Sequence, residues 1–293
     1  IAVPHKAVAP VDAASGALLF RDRFQSGVLK GASFLKNGAE ILAWGMGPPT
    51  MRLYDSTGNT LNTYSLYSLR RAAVLPSGWI VGLKFSHRIA LLDPRKLPTP
   101  IVEVGEHEFF DSDQTEDGKT VMLTNLEGEL WEVRDQGKDT VPTHRRVLRQ
   151  PGTVAVAVSR DGSEVALAQE RSIRILDVAK QSTRLECQSP GRRILDVALS
   201  RDGRFVAAAD LDQTARVWSV RDGRLLAVLR GHSGRVATVA FSADGSKLIT
   251  ASWDGSARLW GLDALDKDAA KLLAEAQAAW GLDLSRIQES RLY

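Results

Sequence analysis

The chain holds a single cysteine, Cys187, among 293 residues. That cysteine has no internal disulfide partner and cannot build a multi-cysteine metal cluster, and such sparse use suits a reducing, cytoplasmic compartment. Long hydrophobic runs are missing too. Charges and glycines interrupt every apolar stretch well before the roughly 18 residues that a membrane helix requires, so no membrane span is expected. Neither sign of charge is in excess, with 38 Lys and Arg against 35 Asp and Glu and a net charge of +3, which argues against a dominant polyanionic partner. Aromatic residues make up only 6%, too few to interleave with basic groups along a nucleic-acid groove. The start, Ile1-Ala2-Val3-Pro4-His5, has neither an initiator Met nor a charged leader, and the sequence reads as a piece of a longer polypeptide.

Catalytic signatures are equally scarce. There is no Gly-x-x-x-x-Gly-Lys-Ser/Thr phosphate loop, no His-Glu-x-x-His, no Gly-x-Ser-x-Gly elbow and no dinucleotide fingerprint. The five histidines, His5, His87, His107, His144 and His232, are scattered along the chain. Glu106-His107-Glu108 is the tightest ligand-like cluster and reads as a solvated loop rather than a metal site. No cationic neighbour activates Cys187, which falls on an outer strand. His144-Arg145-Arg146 with Arg149, and Arg192-Arg193, are the main basic clusters and read as exposed charges on connections between units. No cofactor, metal or nucleic-acid partner is expected.

What the sequence does have is an internal repeat. Ser159-Arg160-Asp161-Gly162, Ser200-Arg201-Asp202-Gly203 and Ser242-Ala243-Asp244-Gly245 each close an apolar strand, and Asp117-Gly118, Ser77-Gly78 and Asn37-Gly38 continue the series upstream at intervals near 40 residues. A second marker, a large apolar residue followed by a polar or small one, recurs at Val11-Asp12, Tyr54-Asp55, Leu92-Asp93, Trp131-Glu132, Leu176-Asp177, Trp218-Ser219 and Trp260-Gly261. Seven copies fit the chain. Each holds short alternating segments with no room for a helix between turns; in the last unit the strands are expected at Ala237–Phe241, Lys247–Ala251 and Ser256–Trp260, with Arg224–Leu229 preceding them. Four antiparallel strands every 40-odd residues cannot hide both faces of their own sheet, so the units must stack radially. The expected fold is all-β: a seven-bladed β-propeller of four-stranded antiparallel blades over 1–262, the first and last blades incomplete.

Gly231-His232, Phe241-Ser242-Ala243-Asp244-Gly245, Ser252-Trp253-Asp254-Gly255 and Arg258-Leu259-Trp260 resemble the WD-repeat (WD40) family. The likeness is strongest over 151–262 and rests on spacing alone before about 110. It implies a buried hydrogen-bonded chain of His232, Ser252, Asp254 and Trp260 holding the last blade. One unit earlier, Asp212 and Trp218 match, whereas Pro190 stands where the His should be, and Leu176, Leu92 and Val11 replace the Trp elsewhere. Unpaired buried polar groups cost roughly 1–3 kcal/mol, so such a chain persists only where its members satisfy one another. Its role is structural, and His232 with Asp254 is scaffolding rather than a catalytic dyad.

In that family the residue before the turn Asp points to the face where partners bind. The resemblance therefore nominates Trp253 and its equivalent Leu211, beside Arg235 and Arg193 at the entrances to the innermost strands, as partner contacts. Trp44-Gly45-Met46-Gly47-Pro48-Pro49 is a second candidate surface loop. After Leu262 the pattern changes: Leu265, Ala269, Leu272, Leu273, Ala276 and Trp280 recur at helical spacing, so 263–293 is expected to be a short helical tail. The leading functional expectation is a non-catalytic platform or sensor for protein partners or for another domain of the same signalling polypeptide. Its rival is a propeller enzyme of hydrolase or quinoprotein type with a metal or cofactor on the central axis. Fold alone does not decide between them.

Overall fold

The computed structural model describes residues 7–8, 22–23, 28–35, 40–46, 51–64, 69–84, 89–93, 102–104, 109–125, 127–262 and 265. Within them the chain is all-β. A short pair, β1 (Ala7–Val8) and β2 (Asp22–Arg23), precedes six antiparallel sheets built from consecutive strands. Sheet one comprises β3 (Val28–Leu35), β4 (Glu40–Met46), β5 (Met51–Asp55) and β6 (Thr60–Tyr64). Sheet two comprises β7 (Leu69–Val74), β8 (Ile80–Lys84), β9 (Ile89–Leu92) and β10 (Val102–Val104). Sheet three follows as β11 (Phe109–Gln114), β12 (Thr120–Asn125), β13 (Glu129–Arg134) and β14 (Thr143–Arg149), and sheet four as β15 (Ala155–Val158), β16 (Glu164–Ala168), β17 (Ser172–Asp177) and β18 (Ser182–Gln188). Sheet five is β19 (Ile194–Leu199), β20 (Phe205–Asp210), β21 (Ala215–Ser219) and β22 (Leu225–Leu229). Sheet six has three strands, β23 (Val236–Phe241), β24 (Lys247–Ser252) and β25 (Ala257–Gly261). The seventh unit read at Val11-Asp12, the cluster Glu106-His107-Glu108 and the helical tail fall outside the described residues.

The Ser-x-Asp-Gly turns work as closed units. In the copy at 242–245, Ser242 Oγ donates to Asp244 Oδ1 (2.6 Å) and accepts from Lys247 N (2.9 Å), while Asp244 Oδ1 also accepts from Ser246 N (3.1 Å). The copies at 159–162 and 200–203 repeat these bonds. The Gly sits at φ +70 to +76 in all three, a conformation that costs other residues steric strain. Donors crowding the carboxylate, the serine hydroxyls of 242 and 246 among them, hold Asp244 down at about 2.

Apolar residues on facing strands form separate cores between successive sheets. Ile173, Ile175, Ile194, Val206 and Trp218 fill the space between sheets four and five, and Phe205, Val217, Val239 and Leu248 that between five and six. The innermost strands β3, β7, β11, β19 and β23 carry a β-bulge at the same place. The residues just past it include Arg71, Asp111, Asp196 and Thr238, and these tie neighbouring sheets together. Asp111 pairs with Arg71 (2.7 Å) and accepts from Val156 N (2.8 Å); Asp196 accepts from Val239 N (3.1 Å); Asp113 accepts from Val158 N (2.8 Å). An innermost strand is an open edge, and these carboxylates satisfy its unpaired N–H groups. All six sheets contribute residues to one cavity of about 850 Å³, among them Glu40, Ile80, Asp113, Arg160, Arg201 and Phe241, so the sheets stand around a common axis.

Candidate partner-binding rim

Strand β24 runs outward from the Asp244-Gly245 turn at the cavity end to the turn at Trp253, so Trp253 lies at the opposite end of the sheets. The turn is held by Trp253 N donating to Arg235 O (3.0 Å) and Gly255 N to Ser252 O (3.1 Å). One sheet earlier, Leu211 N donates to Arg193 O (2.9 Å) in the same way, so the pairs 193/211 and 235/253 sit at equivalent places on one rim. Trp253 is 70% exposed. The Arg235 guanidinium lies over its indole, 3.2 Å from the ring centroid, a cation–π contact that fixes the ring while leaving it open to solvent. Arg193 is exposed and Leu211 half-buried. The second proposed surface fares differently: Trp44 is buried between sheets one and two, and 47–50 are outside the described residues.

Beneath the rim, His232 Nδ1 meets Asp254 Oδ2 at 2.8 Å, His232 Nε2 meets Thr250 Oγ1 at 2.8 Å, and Trp260 Nε1 donates to Thr250 Oγ1 at 3.0 Å. A carboxylate only accepts, so the imidazole proton faces Asp254. The Thr250 hydroxyl, receiving the indole N–H, passes its own proton to Nε2. Every donor is matched. The expected place of Ser252 in this chain is therefore corrected: Thr250, one inward-facing position earlier on β24, supplies the hydroxyl. Ser252 Oγ instead accepts from Asp254 N (3.1 Å) and donates to the carbonyls of Gly234 (2.9 Å) and Arg235 (3.0 Å). The Ser256 hydroxyl and further donors, His232 among them, hold Asp254 well below the usual carboxylate range. The types resemble a hydrolytic relay, yet the Thr250 hydroxyl is fully buried and already engaged.

Sheet five solves the same problem with other residues. Trp218 is buried, but Asp212 pairs with Arg216 (2.6 Å) rather than with a histidine, and Arg216 also reaches Asp210 (3.3 Å). Asp210 Oδ1 accepts from the backbone N–H groups of Arg192 (3.0 Å), Arg193 (3.1 Å) and Asp212 (3.0 Å). Asp210, Arg216 and Thr250 escaped the sequence reading; an Arg inside the otherwise apolar strand Ala215-Arg216-Val217-Trp218 was the available signal. Cys187 is buried, and burial pushes its thiol up to about 11. Among the described residues no group of three His, Cys, Asp or Glu is placed to hold a metal ion, and no helix is long and apolar enough to cross a membrane.

Residues 180–219 and 223–261 match the family model described as WD domain, G-beta repeat. A stretch of 126 residues, 39% of this chain, is 29% identical to Nuclear distribution protein nudF of Aspergillus niger, covering 26% of that protein. A stretch of 84 residues, 28% of this chain, is 33% identical to an uncharacterized WD repeat-containing protein of Synechocystis, covering 24% of it. The matched part thus spans about a quarter of the length of these relatives. Each matched segment starts on the outermost strand of one sheet, β18 or β22, and ends on the third strand of the next. By this match, together with the six antiparallel sheets among the described residues, the chain carries two recognised WD repeats, and these span the fifth and sixth sheets.

Proposed function

We propose that the chain is a non-catalytic seven-bladed propeller, spanning 1–262 and followed by a tail at 263–293, that offers the Trp253 rim to a protein partner in a cytoplasmic signalling or regulatory polypeptide. WD-repeat proteins generally mediate protein–protein contacts. The observation that carries the reading is a large aromatic side chain left 70% exposed while an arginine is stacked on it. Aromatic and arginine side chains are enriched among the few residues that carry most interface energy, and here the stacking has already ordered the pair. Arg193 and Leu211 extend the contact one sheet further. His232, Thr250, Asp254 and Trp260, with Asp212 and Trp218 in the preceding sheet, keep the rim rigid.

The test replaces Trp253 with Ala and compares crosslinked partners of the wild type and the variant by mass spectrometry. Loss of a specific partner with stability unchanged to about 0.5 kcal/mol is the expected result. An unchanged partner set, or a large fall in melting temperature, removes Trp253 from the interface.

A further inference from the structure

A depression of about 230 Å³ on the outer part of sheet three is lined by Glu132, Arg134, Thr143, His144 and Arg145. His144 and Arg145 do not lie on a connection, as their sequence suggested, but with Thr143 on the outermost strand β14, beside Glu132 and Arg134 on β13. The register explains the cluster: Glu132 stands opposite Arg145 and Arg134 opposite Thr143, so four polar side chains share one face of a two-stranded ribbon. Glu132 is 1% exposed, and each of its carboxylate oxygens is taken by one Nε–H, from Arg134 at 2.8 Å and from Arg145 at 2.5 Å. Both arginine side chains remain 55% exposed.

This clamp is unbalanced in charge and in hydrogen bonding. Two guanidiniums on one carboxylate leave a surplus positive charge, and only one of the five N–H groups on each is used. Neither has a second acceptor among the described residues. Thr143 Oγ1 accepts from Gln136 Nε2 at 3.0 Å, which leaves its own O–H to donate. An exposed arginine ordinarily loses side-chain freedom when it grips an anion; here the buried carboxylate has fixed both beforehand, which lowers that cost. A guanidinium fork matches the oxygens of a tetrahedral anion better than an ammonium does.

We propose that this depression binds a phosphoryl oxyanion, carried by a phosphorylated side chain of a partner or present as free phosphate, between Arg134 and Arg145 with Thr143 as a third donor. The site is independent of the Trp253 rim. The full chain is titrated by calorimetry with inorganic phosphate, with a phosphoserine peptide and with the same peptide unphosphorylated. Saturable binding of a phosphoryl form, with none of the unmodified peptide, is expected. A tighter phosphopeptide assigns the partner's side chain as source and a tighter inorganic phosphate assigns the free anion. Arg134→Gln should weaken binding about tenfold. Because that change also strips a partner from Glu132, Arg145→Lys and Thr143→Val accompany it: the first keeps the charge but loses the fork, the second removes one donor, and about fivefold and threefold losses are expected. No phosphoryl binding, equal binding of both peptides, or unchanged affinity in the Lys and Val variants overturns the proposal.

Discussion

Sheets five and six place different chemistry on equivalent positions. Offset by 42 residues, Pro190 stands for His232, Ala208 for Thr250, Asp210 for Ser252 and Arg216 for Arg258, while Asp212 and Trp218 correspond to Asp254 and Trp260. Sheet six joins its rim to its core by a hydrogen-bonded relay from indole to carboxylate. In sheet five the imidazole and hydroxyl are gone, and a buried Asp210–Arg216 pair with the half-buried Asp212 takes over, Asp210 gathering three backbone N–H groups that a serine could not. Gly191 makes this possible, because a Cβ there would overlap the Asp210 carboxylate; its equivalent in sheet six is Ser233. The lesson is that the constraint lies on the position, which must tie a loop, a turn and a strand together, and not on any one residue type.

The sharpest way to break the comparison is Arg216→Ala. It leaves the buried Asp210 without its counter-ion and should cost about 3–5 kcal/mol in urea unfolding. Next comes the relay: Thr250→Val leaves the Trp260 N–H and one imidazole nitrogen unmatched inside the core, for a loss of about 1–3 kcal/mol, whereas Ser252→Ala should cost roughly 1 kcal/mol or less, since Ser252 sits outside the relay. Equal losses for the two would return Ser252 to the chain.

The smallest effect concerns pH. Burial pushes Asp113 and Asp196 up to about 6, with the charge of Asp111 adding to both. A carboxyl whose folded value lies above its unfolded one destabilises the fold at neutral pH and is relieved as pH falls through the folded value. Asp161 and Asp244, at about 2, act oppositely and lose their contribution as pH falls from about 4 to 2. Urea midpoints should therefore rise between pH 7 and about 5 and fall below about 4, and Asp113→Asn with Asp196→Asn should flatten the rise.

Much of the architecture was legible because it rests on local rules. The Ser-x-Asp-Gly turns announce themselves through the φ each Gly must adopt, and the strands between them alternate with period two. Observed strands such as Val236–Phe241 and Lys247–Ser252 match their expected spans to within one residue. The site was legible in part. Trp253 and Arg235 could be placed by position, but their stacking depends on side-chain rotamers. Thr250 was missed because two hydroxyl residues, 250 and 252, lie on the same face of β24, and only the register against His232 distinguishes them. The substitutes in sheet five were invisible because Asp210 and Arg216 gain their meaning from each other and not from a spacing. The arginines at 145 and 146 read as a loop because their charges masked the alternation of an outer strand whose sides are both wet.

One feature of the chain's layout reaches beyond any single site. Each recognised repeat begins on the rim strand of one sheet and finishes inside its successor, so cutting out one 40-residue unit would mutilate two sheets instead of removing one. The seams of the sequence and the seams of the structure do not coincide, much as bricks laid in bond share no continuous joint. Unravelling that starts in one sheet must draw strands from the next, which makes neighbouring sheets partners in a common melting event.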